Sequence, residues 1–102
     1  ANLVPHAHSE CQLAFWLGGA RATARVGQEL LSYSEDIALG VNAFESHDMT
    51  LVDDSGPCLF LAFMIRDEWL KARSREAGRT FRFASPRVHI DAALRQSCLA
   101  RP

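Results

Sequence analysis

Short apolar runs, broken at even intervals by turn residues, constrain this chain more than any other feature. Residues 11–17 are rich in Leu, Phe and Trp and stop at Gly18-Gly19. Residues 20–26 alternate small apolar side chains with Arg21, Thr23 and Arg25, the pattern of a strand with one wet face. Gly27-Gln28 then reverses the chain into 29–34, which predicts a β-hairpin. Ser34-Glu35-Asp36 is a polar turn ahead of the apolar 37–41, and Asp53-Asp54-Ser55-Gly56-Pro57 separates two further strand-like runs, 48–52 and 59–65. Strands this short and this regularly spaced, with no long helix between them, predict an all-β sandwich or barrel.

The character changes at Arg66. Asp67 is placed to cap a helix running to Ala77, with Gly78 as its stop and Asp67 and Lys71 at salt-bridge spacing. Trp69 on that helix is expected to pack against the sheet. Phe81 and Phe83 alternate as a short strand, and Ile90, Leu94 and Cys98 at i, i+4 and i+8 predict a helix over 91–100. The expected organisation is one domain over 1–102, with a barrel core at 1–66, a helix at 67–78, a strand return at 79–90 and a terminal helix over 91–101. A chain of 102 residues folding as one domain buries roughly two-thirds of its unfolded surface, enough for a core. It opens on Ala1 and stops on Pro102 just after a helical pattern, as expected of a piece of something longer.

Charge and cysteine usage narrow the function classes. The formal net charge is -1 with Lys and Arg scattered, so this chain alone has no footprint for gripping DNA. Three cysteines, Cys11, Cys58 and Cys98, form no C-x-x-C and no disulfide framework, which suits a reducing cytoplasm and reads as small buried hydrophobes. The longest apolar run, 58–65, is far short of the ~20 residues that cross a bilayer, and the amino terminus lacks a signal pattern. The expected setting is cytoplasmic, away from the membrane.

The candidate chemistry lies in residues 5–19, PHAHSECQLAFWLGG, where His6 and His8 stand one residue apart before an apolar run. On extended backbone both imidazoles point to the same side. A third histidine, His47, sits far downstream beside another strand-like run, while His89 has no such partner and reads as a surface residue. Two imidazoles from one strand and one from a distant strand suit a metal or polar-ligand pocket inside a small β-barrel. If a metal is bound, the expected ligands are His6, His8 and His47 through neutral nitrogens and Gln12 through its amide oxygen. Three imidazoles suit Zn²⁺, Ni²⁺, Fe²⁺ or Mn²⁺ alike. With no anionic ligand the ion keeps its formal charge of two, which favours an anionic effector such as a carboxylate, or a bound hydroxide. Strict alternation puts Glu10 beside the histidines as a reserve carboxylate, and a turn at Ser9 breaks that parity; both readings stay open. Trp16 shares parity with Gln12 and Ala14 and can wall the pocket, although ordinary core packing explains it as well. Leu13, Phe15 and Leu17 then face a second layer or a dimer partner. Arg25 and Tyr33 on the hairpin are candidates for reaching an anionic ligand. The competing reading is a wet cavity lined by the three histidines without any metal.

The spacing His6-x-His8-x-x-x-Gln12 followed by six residues to Gly19 resembles the first motif of the cupin superfamily, with Gln12 where that motif has Glu. Leu39-Gly40-Val41-Asn42-Ala43-Phe44-Glu45-Ser46-His47 resembles the second, with His47 at the motif's histidine and its usual proline, upstream glycine and following asparagine missing. A narrower likeness covers 5–100: H-x-H-x-E-x-Q-L, a V-G-Q hairpin, a D-E-W-L helix and a later amphipathic helix look like the amino-terminal sensing domain of AraC-type transcription regulators. The resemblance implies a cupin fold, a double-stranded β-helix or jelly-roll barrel with one or two carboxy-terminal helices. It implies binding of a small-molecule effector, a homodimer through the helices or strand edges, and DNA contact through a helix-turn-helix domain absent here. The alternative it carries is a small metal-dependent cupin enzyme, a dioxygenase or isomerase, using the same four ligands and Glu10 as general base.

Overall fold

A computed structural model describes residues 2–52 and 56–99, with the side chains of 2–4 and of 98 and 99 left aside. Its strands are β1 (Asn2–His6), β2 (Cys11–Gly19), β3 (Ala22–Val26), β4 (Glu29–Ser32), β5 (Ile37–Val41), β6 (His47–Leu51), β7 (Cys58–Ile65) and β8 (Arg87–His89). Two helices, α1 (Asp67–Ala77) and α2 (Ala92–Leu99), complete the described elements. The strands form two antiparallel four-stranded sheets, ordered β1-β6-β3-β4 and β7-β2-β5-β8, so the chain is mostly β, compatible with the all-β expectation.

Side-chain alternation decides what lies between the sheets. Ala14 and Trp16 of β2 and Leu39 and Val41 of β5 meet Ala22, Ala24 and Val26 of β3, with Leu31 and Tyr33, in one buried cluster. The small residues along β3 let the sheets approach closely where the larger rings of Trp16 and Tyr33 fill the space. The opposite face of β2 also finds a second layer within the chain: Phe15, flanked by Leu13 and Leu17, packs with Ala38, Val88 and Ile90. Across that face Arg95 of α2 donates to the carbonyls of Trp16 at 2.8 Å and Leu17 at 3.4 Å.

The hairpin forms as its sequence predicts, with Val26 opposite Glu29 and Gly27 in the left-handed region at φ 59°. The helices depart from expectation in detail. Asp67 is not the cap: Arg66 holds that position without a side-chain bond, and Asp67, already inside the first turn, instead pairs with Lys71 at 3.0 Å. Gly78 ends α1 in the left-handed conformation that leaves no Cβ to clash. Trp69 is only half covered: it is 49% exposed, lines a shallow surface pocket with Met64 and Ile65 of β7, and lies under the Arg73 guanidinium. α2 is capped by Asp91, whose carboxylate accepts from the Leu94 N–H at 2.7 Å.

Phe81 and Phe83 form no strand. The Asn42 side chain intercepts that segment, accepting from the Phe83 N–H at 2.8 Å and donating to the Phe83 carbonyl at 2.9 Å. An amide that supplies both bonds stands in for a neighbouring strand, and pairing with β5 resumes only at β8. Gly40 permits the approach, since a Cβ there would lie 2.6 Å from the Phe83 ring. His89 sits exposed on β8, at the edge of its sheet.

Candidate metal centre

Cross-strand register brings the first two imidazoles together. In the antiparallel β1–β6 pair His6 stands opposite His47, after a register shift between Leu3 and His6. His47 in turn faces Val26 of β3 and points to the inner side, where it is buried. The two rings lie 4.1 Å apart between centroids.

His8 arrives differently from the sequence expectation. β1 ends at His6 and the chain bends at Ser9 and Glu10, so His6 and His8 are not two positions of one extended strand. His8 stands on the crossing from one sheet to the other. The Phe44 N–H donates to its carbonyl at 2.7 Å and ties that crossing to the 42–46 loop that leads into His47. The His8 ring lies 4.9 Å from that of His47 and 5.9 Å from that of His6. One nitrogen from each of the three falls within 4.8 Å of the others. The bend at Ser9 also settles the parity of Glu10, which does not line the cavity below; its carboxylate accepts from the Ser9 hydroxyl at 3.4 Å.

Backbone carbonyls set the tautomers. His47 Nδ1–H donates to the Glu45 carbonyl at 3.0 Å and His8 Nδ1–H to the Glu10 carbonyl at 2.8 Å. Each Nε2 is then left with a lone pair, the arrangement by which metal-ligating histidines are commonly oriented. His47 Nε2 is buried and has no hydrogen-bond partner. Burial holds the His47 pKa below the ordinary imidazole value, helped by His6 and His8 and opposed by the Glu45 carbonyl and Asp48.

Gln12 adds a fourth donor. Its Oε1 lies 3.0 Å from His8 Nε2, so with Nδ1 as the protonated nitrogen two lone pairs face one another. A turn of the amide relieves that contact in the free protein. Shared ligation relieves it equally: with bonds of about 2.1 Å, neighbouring ligands of one ion lie about 3.0–3.4 Å apart. The unpartnered His47 Nε2, with a nitrogen each of His6 and His8 close by and the Gln12 amide beside His8, makes the residues present a fit for a divalent metal.

A cavity of about 180 Å³ opens beside the histidines, between the sheets. Its polar end is His6, Gln12, His47 and Asp48, and its apolar walls include Leu39, Met49, Phe60 and Ala62. Tyr33 completes the wall in edge-to-face contact with Phe60 at 4.6 Å, and burial pushes its phenol well above the usual value, so it stays neutral. Trp16 is not part of the lining: it is core, donating Nε1–H to the Ala20 carbonyl at 3.1 Å, with Arg21 over its ring. The Arg25 side chain is exposed and also outside the lining, while its backbone N–H donates to Asp48 Oδ1 at 3.2 Å. Asp48, Met49, Phe60 and Ala62 carry no motif. The signal available for them was alternation along β6 and β7, together with Asp48 following His47 in sequence.

Among the described residues the thiols stand apart from the centre. Cys11 is buried and Cys58 partly so, both unpaired, and desolvation raises the pKa of each. The side chain of Cys98 lies outside the described residues. Among the described residues no helix is long and apolar enough to cross a membrane. No protein-family model, no curated protein and no solved structure matches this chain.

Proposed function

We propose that this chain is a small-molecule-binding domain of cupin type that holds a divalent metal on His6, His8, His47 and Gln12 and presents it to an effector in the adjacent cavity. The observation that carries the reading is the buried, unpartnered His47 Nε2, oriented by the Glu45 carbonyl and flanked by two further imidazoles. A bound ion would supply a Lewis-acidic contact at the cavity mouth. The chain's own residues orient the His8 and His47 imidazoles through backbone carbonyls and line the other end of the cavity with apolar side chains.

The broader role we infer is that of an effector-sensing and dimerising module of an AraC-type regulator, with DNA contact left to another domain. An effector shifts such a regulator only if it binds one arrangement better than the other. The exposed Trp69 of α1 and Leu94 of α2, at 49% and 47%, are apolar surface that a homodimer would cover. A metalloenzyme is the less favoured alternative, because Glu10, its candidate base, stands outside the cavity.

Elemental analysis after loading with Zn²⁺ or Ni²⁺ tests the metal centre. The expected result is one ion per chain in the wild type and none retained by His47→Ala; a wild type that retains none removes the reading. Helix-turn-helix units encoded next to this segment would support the regulator role, and turnover of an oxidisable substrate by the iron-loaded chain would replace it with the enzyme.

A further inference from the structure

The cavity has one polar end and one apolar end, and its charge is set by few groups. Four neutral donors leave a divalent ion its charge of two, while the Asp48 carboxylate at the same end is engaged by the Arg25 N–H on the exposed side of the sheet. The ion's charge therefore favours an anionic head such as a carboxylate over a neutral amide. Among the described residues no lysine or arginine lines the cavity, which leaves the ion as the cationic group there. Beyond the polar end, Leu39, Met49, Phe60 and the Tyr33 ring enclose apolar space, in which a charged or hydroxyl-rich body would lose its hydration without replacement. The volume suits a compact body: an apolar cavity of about 150 Å³ accepts benzene, so about 180 Å³ accommodates one ring and a carboxylate.

Resting on the metal-binding reading above, we infer that the effector is a monocarboxylate with a compact apolar body, of the size of a single aromatic ring. Its carboxylate meets the metal at the histidine end and its ring lies against Tyr33 and Phe60. Sugars, dicarboxylates and phosphate esters are the wrong ligands for this space.

Calorimetric titration of the Zn²⁺- or Ni²⁺-loaded chain with benzoate, benzamide, acetate and phthalate tests this directly. Benzoate is expected to bind at least about tenfold more tightly than each of the other three, and its binding is expected to vanish when the metal is stripped. Ala62→Phe, which fills the cavity from an exposed position on β7, is expected to retain one metal per chain and lose benzoate. A metal-loaded protein that ignores benzoate, binds benzamide or phthalate equally well, or binds benzoate without metal overturns the inference and leaves the metal centre standing. A chain that takes up no metal overturns both.

Discussion

His47 is charged only at the cost of leaving water, and that sets how the free protein responds to acid. In the unfolded chain its imidazole takes a proton near pH 6.5, whereas in the fold it does so only at lower pH. Below about 6.5 the unfolded state therefore binds more protons, and stability falls as the pH drops through that window. The urea midpoint of the metal-free chain is expected to fall between about pH 7.5 and about pH 5.5, with His47→Leu flattening that decline. Phe44 stores backbone strain in the loop that leads to His47. It is 70% exposed with φ at 65°, a left-handed conformation that costs a bulky residue about 1–2 kcal/mol and that asparagine adopts readily. Phe44→Asn keeps the backbone bond to the His8 carbonyl and is expected to raise stability by about 0.5–1 kcal/mol, read as a higher urea midpoint.

Between elements, the segment joining α1 to β8 is held by one amide. Asn42→Ala removes both bonds to Phe83 and leaves a partly buried N–H and carbonyl without partners, at a cost of about 1–3 kcal/mol. Asn42→Asp keeps the acceptor and loses the donor, so chemical denaturation is expected to rank it between the wild type and the alanine variant. This arrangement also explains why alternation at Phe81 and Phe83 misleads. Periodicity reports which side chains share a face, but a strand exists only if its backbone groups find another backbone, and here a side chain reached them first. In α1, salt-bridge spacing located Asp67 and Lys71, while how far Trp69 is covered depended on where the helix lies along β7.

For the molecule as a whole, the two sheets and two crossing loops build the mouth, so an ion that binds there ties distant segments of the folded state together. A ligand held by the native chain alone at a hundred times its dissociation constant adds about 2.7 kcal/mol, which for a domain of this size raises Tm by on the order of 10 °C. Thermal scans with and without Zn²⁺ or Ni²⁺ are expected to show that rise in the wild type and not in His47→Ala. The sequence by itself determined the mostly β character, the hairpin at Gly27-Gln28, the helix stop at Gly78 and three histidines as the residues worth watching, because turn chemistry and alternation are written locally. Only the tertiary structure decided that His6 meets His47 across β1 and β6, and that His8 reaches them from a bend rather than a strand. It alone excluded Glu10 from the cavity and brought Asp48 in. Those outcomes depend on register and on loop crossings between sheets, and both are settled by the energy of packing residues that lie forty positions apart in the chain.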